Sequence, residues 1–130
     1  MTPAHERHYS LEEAAALLPR VAELLAKMRT ARDRLGDAEA REALETAGQS
    51  NGGGQPGKVV SEGFLDLRES MLELRDREIV LRDLDRGLVD FPALRDGREV
   101  YLCWEEGEPG IGFWHEPEAG FGGRQPLDDG

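Results

Sequence analysis

The sequence predicts an α+β fold, with a long antiparallel two-helix hairpin packed on one face of a three- to four-stranded antiparallel β-meander. Three observations lead to this prediction. Two segments before residue 78 carry apolar residues at alternating spacings of four and three, which is typical of amphipathic helices. A glycine-rich stretch separates these segments. After residue 78, apolar and polar residues alternate between turn sequences, which is typical of antiparallel strands.

The first helix is predicted over residues 10–47. Ser10 and Glu13 form a capping box, in which each side chain bonds the free backbone N–H of the other residue. Pro19 lies inside the helix and removes one of its hydrogen bonds, so a kink is expected there. The apolar stripe behind the cap consists of Ala14, Leu17, Val21, Leu24, Met28, Ala31, Leu35 and Ala38.

A flexible linker is predicted over residues 48–57, because this segment has five glycines and no large apolar side chain. The stretch Gly52-Gly-Gly-Gln-Pro-Gly57-Lys58, at the end of this linker and the residue after it, resembles the skeleton of a phosphate-binding loop. We reject nucleotide binding, however, because Val59 stands where a serine or threonine hydroxyl is needed. The second helix is predicted over residues 58–77. Its narrow stripe matches that of the first helix, and the two are expected to pair as a short coiled coil.

The sheet is predicted over residues 78–116, followed by an extended tail over residues 117–130. Asp96-Gly97 predicts a tight type I′ hairpin. A second turn is placed at residues 107–110. The resulting pairs are Ala93 with Val100, Phe91 with Leu102, Val89 with Trp104, Trp104 with Phe113, and Leu102 with His115. This register places one set of apolar residues on a single face, namely Val89, Phe91, Val100, Leu102, Trp104, Ile111 and Phe113.

Size and charge limit the possible function classes. The chain of 130 residues is expected to form one domain, and its net charge of −11 disfavours nucleic acid and anionic membranes as partners. A single cysteine cannot form an internal disulfide. The N-terminal residues lack the apolar segment of a signal peptide, and no apolar run approaches the length of a membrane span. A cytoplasmic location is therefore predicted.

The candidate site lies in the last third of the chain, where aromatic, imidazole and carboxylate groups concentrate. A small-molecule or divalent-metal site is expected to involve Trp104, Glu108, His115, Glu116 and Arg124. In the metal alternative His115 is a ligand with Glu116 or Glu108 as co-ligand, although metal sites normally need three or four protein ligands. In the structural alternative, a carboxylate from Glu13, Glu69 or Glu73 holds a neutral His115.

Three further side chains in this region have competing interpretations. Cys103 and His115 are expected on opposite faces, so Cys103 is predicted to be a buried apolar residue and not a nucleophile. Arg124 either anchors the tail on Glu116 or Asp90, or receives an anionic ligand. Tyr101 and Trp114 are expected to share the face that the helices leave uncovered. Exposed aromatic patches of this kind mark interfaces, which predicts a homodimer.

Motifs along nearly the whole chain resemble one protein family, the small prokaryotic group catalogued as domain of unknown function 2203. The resemblance implies no particular activity, cofactor or substrate, but it supports the segmentation above. The motifs are Tyr9-Ser-Leu-Glu-Glu-Ala with Leu17-Leu-Pro19, Asp85-Arg-Gly-Leu-Val-Asp-Phe-Pro92, Leu102-Cys-Trp104, Gly107-Glu108, Phe113-Trp-His115, Ala119-Gly-Phe121, Gly123-Arg124 and Pro126-Leu127.

Two functions from different classes follow from these features. The first is a small non-enzymatic cytosolic protein that acts through self-association and contacts with a protein partner, with no cofactor. The second is a small-molecule or divalent-metal-binding protein with its site around His115 and Glu116.

Overall fold

The computed structural model describes residues 3–36 and 61–127, together with Glu42 and Glu45. Residues 3–36 and 61–127 contain two helices, followed by a five-stranded antiparallel sheet whose strands neighbour one another in chain order. The α+β class is confirmed, whereas the sheet has five strands and not the expected three or four. The elements are α1 (Leu11–Arg34), α2 (Glu62–Asp76), β1 (Val80–Asp83), β2 (Leu88–Arg95), β3 (Arg98–Glu105), β4 (Phe113–His115), a 3-10 turn (Phe121–Gly123) and β5 (Gln125–Pro126).

The first helix begins where the capping box places it. The Ser10 hydroxyl accepts from the Glu13 N–H at 3.0 Å, and the Glu13 carboxylate accepts from the Ser10 N–H at 2.8 Å. The helix ends at Arg34, before the end of the predicted span of 10–47, and of residues 37–47 the structure describes only Glu42 and Glu45. Leu35 is extended, with φ −103° and ψ 154°, and Gly36 follows it as a poor helix former. The kink at Pro19 stays a prediction.

Replacing Ser10 with alanine is expected to lower the free energy of unfolding by about 1 kcal/mol, because the Glu13 N–H loses its partner. Urea unfolding measures this loss. Ser70→Ala is the contrasting variant: the Ser70 hydroxyl is buried in α2 with no partner among the described residues. Its removal is expected to be neutral or stabilising. Equal losses in the two variants would contradict the assigned role of the cap.

The two helices pair antiparallel. Gly63 at the start of α2 lies against the end of α1, where an added Cβ would come within 3.3 Å of the Ala31 carbonyl oxygen. Near the other end of the pair, Arg20 of α1 bonds Glu73 of α2 at 2.6 Å. The described part of the predicted helix 58–77 begins at Ser61, which caps α2. The predicted linker 48–57 lies outside the described residues.

The register of β2 and β3 is the predicted one, with Ala93 opposite Val100 and Phe91 opposite Leu102. The predicted register of β3 and β4 is wrong by one residue, because Trp114 and not His115 lies opposite Leu102. The cause lies in the turn. Glu108 folds back on Glu105. The Glu108 N–H donates to the Glu105 carbonyl at 3.0 Å, and the Glu108 carboxylate accepts from the Glu105 N–H at 2.7 Å.

This one-residue shift exchanges the faces of β4. Trp114 joins the core, whereas Phe113 and His115 move to the opposite face. Buried side chains of both helices and of one face of the sheet form a single core cluster. Its residues are Tyr9, Ala14, Val21, Leu24, Leu25, Met28, Ala31, Leu67, Leu74, Ile79, Val89, Phe91, Ala93, Val100, Leu102, Trp104 and Trp114.

The tail predicted as extended over 117–130 contains the 3-10 turn and β5, which pairs with β4 through Phe113 opposite Pro126. Neither helix in the described part of the chain has the length and apolar composition needed to cross a membrane.

Candidate metal centre

The face of the sheet opposite the core, here termed the outer face, carries a buried polar cluster. Asp90 of β2 lies directly opposite Cys103 of β3, and His115 of β4 lies opposite Tyr101, two residues from Cys103. Alternation along the strands therefore directs all three side chains to the same face. A carboxylate oxygen, the thiol sulfur and an imidazole nitrogen lie within 4.8 Å of one another. Each of the three residues is only 1% exposed.

The expectation that Cys103 and His115 point to opposite faces is thus wrong. It followed from the register of β3 and β4, and the one-residue shift in that register reverses it. Cys103 is buried, as predicted.

Both ring nitrogens of His115 have partners. Nδ1 lies 2.7 Å from the backbone carbonyl of Glu116, and Nε2 lies 2.9 Å from Oδ2 of Asp90. Arg82 donates from Nε to the same Oδ2 at 2.8 Å. The carboxylate expected from Glu13, Glu69 or Glu73 is therefore Asp90 instead. The physical reason is that His115 lies on the outer face, beside β2 of the same sheet.

The contact between His115 and Asp90 joins a ring nitrogen and a carboxylate oxygen, and only one arrangement of hydrogens on the ring suits both of its partners. A carbonyl oxygen only accepts, so the bond to Glu116 places a hydrogen on Nδ1. Nε2 of a neutral ring is then an acceptor, and it faces a carboxylate oxygen that is also an acceptor. A proton or a metal ion between these two atoms makes the contact favourable. The other oxygen, Asp90 Oδ1, is buried and has no hydrogen-bond partner among the described residues.

The surroundings of Cys103 do not activate its thiol as a nucleophile. Burial, reinforced by the negative charge of Asp90, raises the pKa of the Cys103 thiol to about 11, so it is protonated at neutral pH. Both nitrogens of His115 are engaged by Glu116 and Asp90, which leaves neither to accept the thiol proton. A bound metal cation would displace that proton and stabilise the thiolate.

Arg124 borders the cluster on the Cys103 side. Its Nη1 lies 4.0 Å from Cys103 Sγ. The guanidinium pairs bidentately with Glu108, at 3.3 and 3.0 Å, and not with the predicted Glu116 or Asp90. The central guanidinium carbon of Arg124, Cζ, lies 3.8 Å from the ring centre of Phe113 and 4.2 Å from that of Phe121. The partner differs from the prediction because the fold of the β3–β4 turn brings Glu108 towards this end of the strand.

N-terminal residues cover the other side of the outer face. Nε2 of His5 lies 2.8 Å from the Tyr101 hydroxyl, and the Tyr101 ring lies 5.5 Å from that of His115. Nε2 of His8 lies 2.8 Å from a carboxylate oxygen of Glu99. This segment explains how a sheet face opposite the core still buries Tyr101 and His115.

The structure brings together only part of the predicted site. Trp104 belongs to the core, and its indole N–H donates to the Glu108 carbonyl at 3.2 Å. Glu116 contributes its backbone carbonyl to His115, but its carboxylate pairs with Arg98 at 3.1 Å on the surface and is not beside His115 as a metal ligand.

The predicted interface patch does not exist as one face. Tyr101 lies on the outer face and Trp114 in the core, and both are buried. From the sequence, Asp90 is predicted only as a possible partner of Arg124 and not as a member of the metal site. Its sequence signature is a carboxylate in the middle of the apolar strand Leu88–Arg95, where a buried charge is costly unless it is paired.

The fold and the cluster together define a small α+β protein that buries a carboxylate, a thiol and an imidazole beside one another on neighbouring strands. The sequence profile of the family described as "Uncharacterized conserved protein (DUF2203)" matches residues 7–127. The chain belongs to this family, which confirms the resemblance seen in its motifs. No curated protein and no solved structure matches the chain.

Proposed function

We propose that the protein binds a thiophilic divalent metal ion of the zinc type through Asp90, Cys103 and His115. The observation that carries this proposal is the convergence of three different donor groups, from three adjacent strands, within 4.8 Å in a buried position. The proposed site keeps His115 as a metal ligand, as in the second function derived from the sequence. Its other protein ligands are Asp90 and Cys103, and Glu116 is not a ligand.

The donor set suits zinc. Zinc binds thiolate sulfur, imidazole nitrogen and carboxylate oxygen, whereas calcium and magnesium prefer oxygen alone. Histidine ligands of zinc usually donate their second N–H to a carbonyl or carboxylate, and the Glu116 carbonyl provides this contact to Nδ1 of His115. Three protein ligands leave one tetrahedral position for an exchangeable group, as in zinc sites that act on or bind other molecules.

The metal would also satisfy two features of the cluster that are otherwise costly. It would supply the positive charge between Nε2 of His115 and Oδ2 of Asp90. The buried Asp90 Oδ1 has no hydrogen-bond partner in the described part of the chain, and the metal would provide a cation close to it. The competing explanation is a metal-free buried ion pair of Asp90 with His115 and Arg82, which needs no role for Cys103.

Zinc affinity separates the two explanations. Cys103→Ser is expected to weaken zinc binding by about 100-fold or more, since loss of even an outer-shell partner costs about 10–100-fold. Competition with a chromophoric chelator measures the affinity. Glu116→Gln is the matched control: its carboxylate lies outside the cluster, so affinity is expected to stay as in the wild type. Wild-type affinity no higher than that of Cys103→Ser would rule out the proposed site.

Self-association stays a prediction. The face first assigned to it loses Trp114 to the core, and the buried residues of both helical stripes belong to the same core. Sedimentation of the purified protein tests it, and a monomer at tens of micromolar would count against it.

A further inference from the structure

We infer that the fourth position of the proposed metal takes a small monovalent oxyanion, such as a carboxylate, with Arg124 as the second anchor of that anion. This inference rests on the proposed function, because it needs the metal at Asp90, Cys103 and His115.

Arg124 lies where such a ligand would be. Zinc–sulfur and zinc–oxygen bonds of about 2.3 and 2.1 Å place a tetrahedrally bound oxygen about 3.6 Å from the thiolate sulfur. Nη1 of Arg124 is 4.0 Å from that sulfur. A metal-bound oxygen on the side of Cys103 that faces Arg124 would therefore lie near Nη1 of the guanidinium.

The charges around the cluster favour an anion. The two anionic ligands, Asp90 and the Cys103 thiolate, neutralise a divalent metal. The groups in direct contact with these ligands are Arg82, which bonds Asp90, and Arg124, which lies against Cys103. Glu108 cancels the charge of Arg124, and Arg82 leaves one positive charge. A monovalent anion at the open position makes this group of charges neutral, and Arg82, with 41% of its side chain exposed, also has solvent to stabilise its charge.

The guanidinium is also oriented for a carboxylate. Phe113 and Phe121 contact it at 3.8 and 4.2 Å from their ring centres, which constrains how the guanidinium is placed. It already binds the carboxylate of Glu108 bidentately. Glu108 thus occupies the hydrogen-bonding edge of the guanidinium that an external carboxylate would need, so it competes with that ligand. The burial of all three metal ligands limits the ligand to a small one.

Cobalt-substituted protein with acetate as the probe anion tests this inference. Cobalt(II) reports its thiolate ligand by a sulfur-to-cobalt charge-transfer band and its coordination geometry by visible ligand-field bands. Acetate is expected to shift the ligand-field bands of the wild type with saturation. Arg124→Gln is expected to weaken acetate binding by about tenfold or more, since one charge-assisted hydrogen bond is lost. Glu108→Gln, which removes the internal competitor, is expected to tighten it.

Arg86→Gln serves as the matched charge control. Arg86 also stacks on Phe121, at 4.2 Å, but pairs with Glu105. Acetate affinity in this variant is expected to stay within about twofold of the wild type, because the direct bond from Arg124 outweighs a screened charge.

Each outcome decides a different step. A missing charge-transfer band overturns both the metal site and this inference. A charge-transfer band with ligand-field bands insensitive to acetate overturns this inference alone. Equal acetate affinity in the wild type, Arg124→Gln and Glu108→Gln overturns the role of Arg124. If Arg124→Gln does not fold, Glu108→Gln tests the role of Arg124 instead. Acetate binding to Glu108→Gln that is no tighter than to the wild type would then overturn that role.

Discussion

Replacing His115 with alanine is expected to lower the free energy of unfolding of the metal-free protein by about 3–5 kcal/mol. The variant leaves the Asp90 carboxylate buried, with Arg82 as its remaining charged partner. It also removes the imidazole that fills the space beside Tyr101. Urea unfolding in the presence of a chelator measures the loss without any contribution from bound metal.

An exposed ion pair at the same strand end provides the control. Arg98 pairs with Glu116 at 3.1 Å, and their side chains are 62% and 38% exposed. Glu116→Gln is expected to change the free energy of unfolding by about 0.5 kcal/mol or less, because exposed ion pairs contribute little. A loss below about 1 kcal/mol in His115→Ala would show that the buried pair is not a structural requirement of this sheet.

Gly87→Ala is the second variant with a large expected effect, a loss of about 3–5 kcal/mol. Gly87 has φ +67°, and an added Cβ would lie 2.6 Å from the Cβ of Glu106. Glu106 cannot move away easily, because Arg29 binds its carboxylate at 2.7 Å and its N–H bonds the Gly87 carbonyl at 3.0 Å. Backbone strain and overpacking each cost about 1–3 kcal/mol.

Gly97→Ala separates these two costs. Gly97 also has a positive φ of +79°, but an added Cβ there would meet nothing within 4 Å. Its substitution is expected to cost only the strain, about 1–2 kcal/mol. Thermal and urea unfolding of the two variants compare them directly. If both lose the same free energy, the close approach of Glu106 to Gly87 has no energetic consequence.

The parts of the fold that depend on local chemistry could be predicted from the sequence. The capping box of Ser10 and Glu13 needs only residues three apart, and the Asp96-Gly97 turn sets the register of β2 and β3 by itself. The turn between β3 and β4 differs because side-chain bonds of Glu108 shape it. The strand β5 has only two residues, too few for any alternation to show.

The candidate site could be predicted only in outline. His115, Glu108 and Arg124 were identified, yet each has a partner that the sequence did not indicate. Partners across a sheet depend on register, and a one-residue shift moved His115 from the face of Leu102 to the face of Cys103. Asp90 was visible as a charge within an apolar strand, but its role emerges only when β4 is placed beside β3.

X-ray absorption at the zinc edge, on protein loaded with one equivalent of zinc, tests the proposed metal site most directly. The site predicts one sulfur neighbour at about 2.3 Å and nitrogen or oxygen neighbours at about 2.0–2.2 Å, with the sulfur lost in Cys103→Ser. A wild-type spectrum with only nitrogen and oxygen neighbours, unchanged in Cys103→Ser, would contradict it.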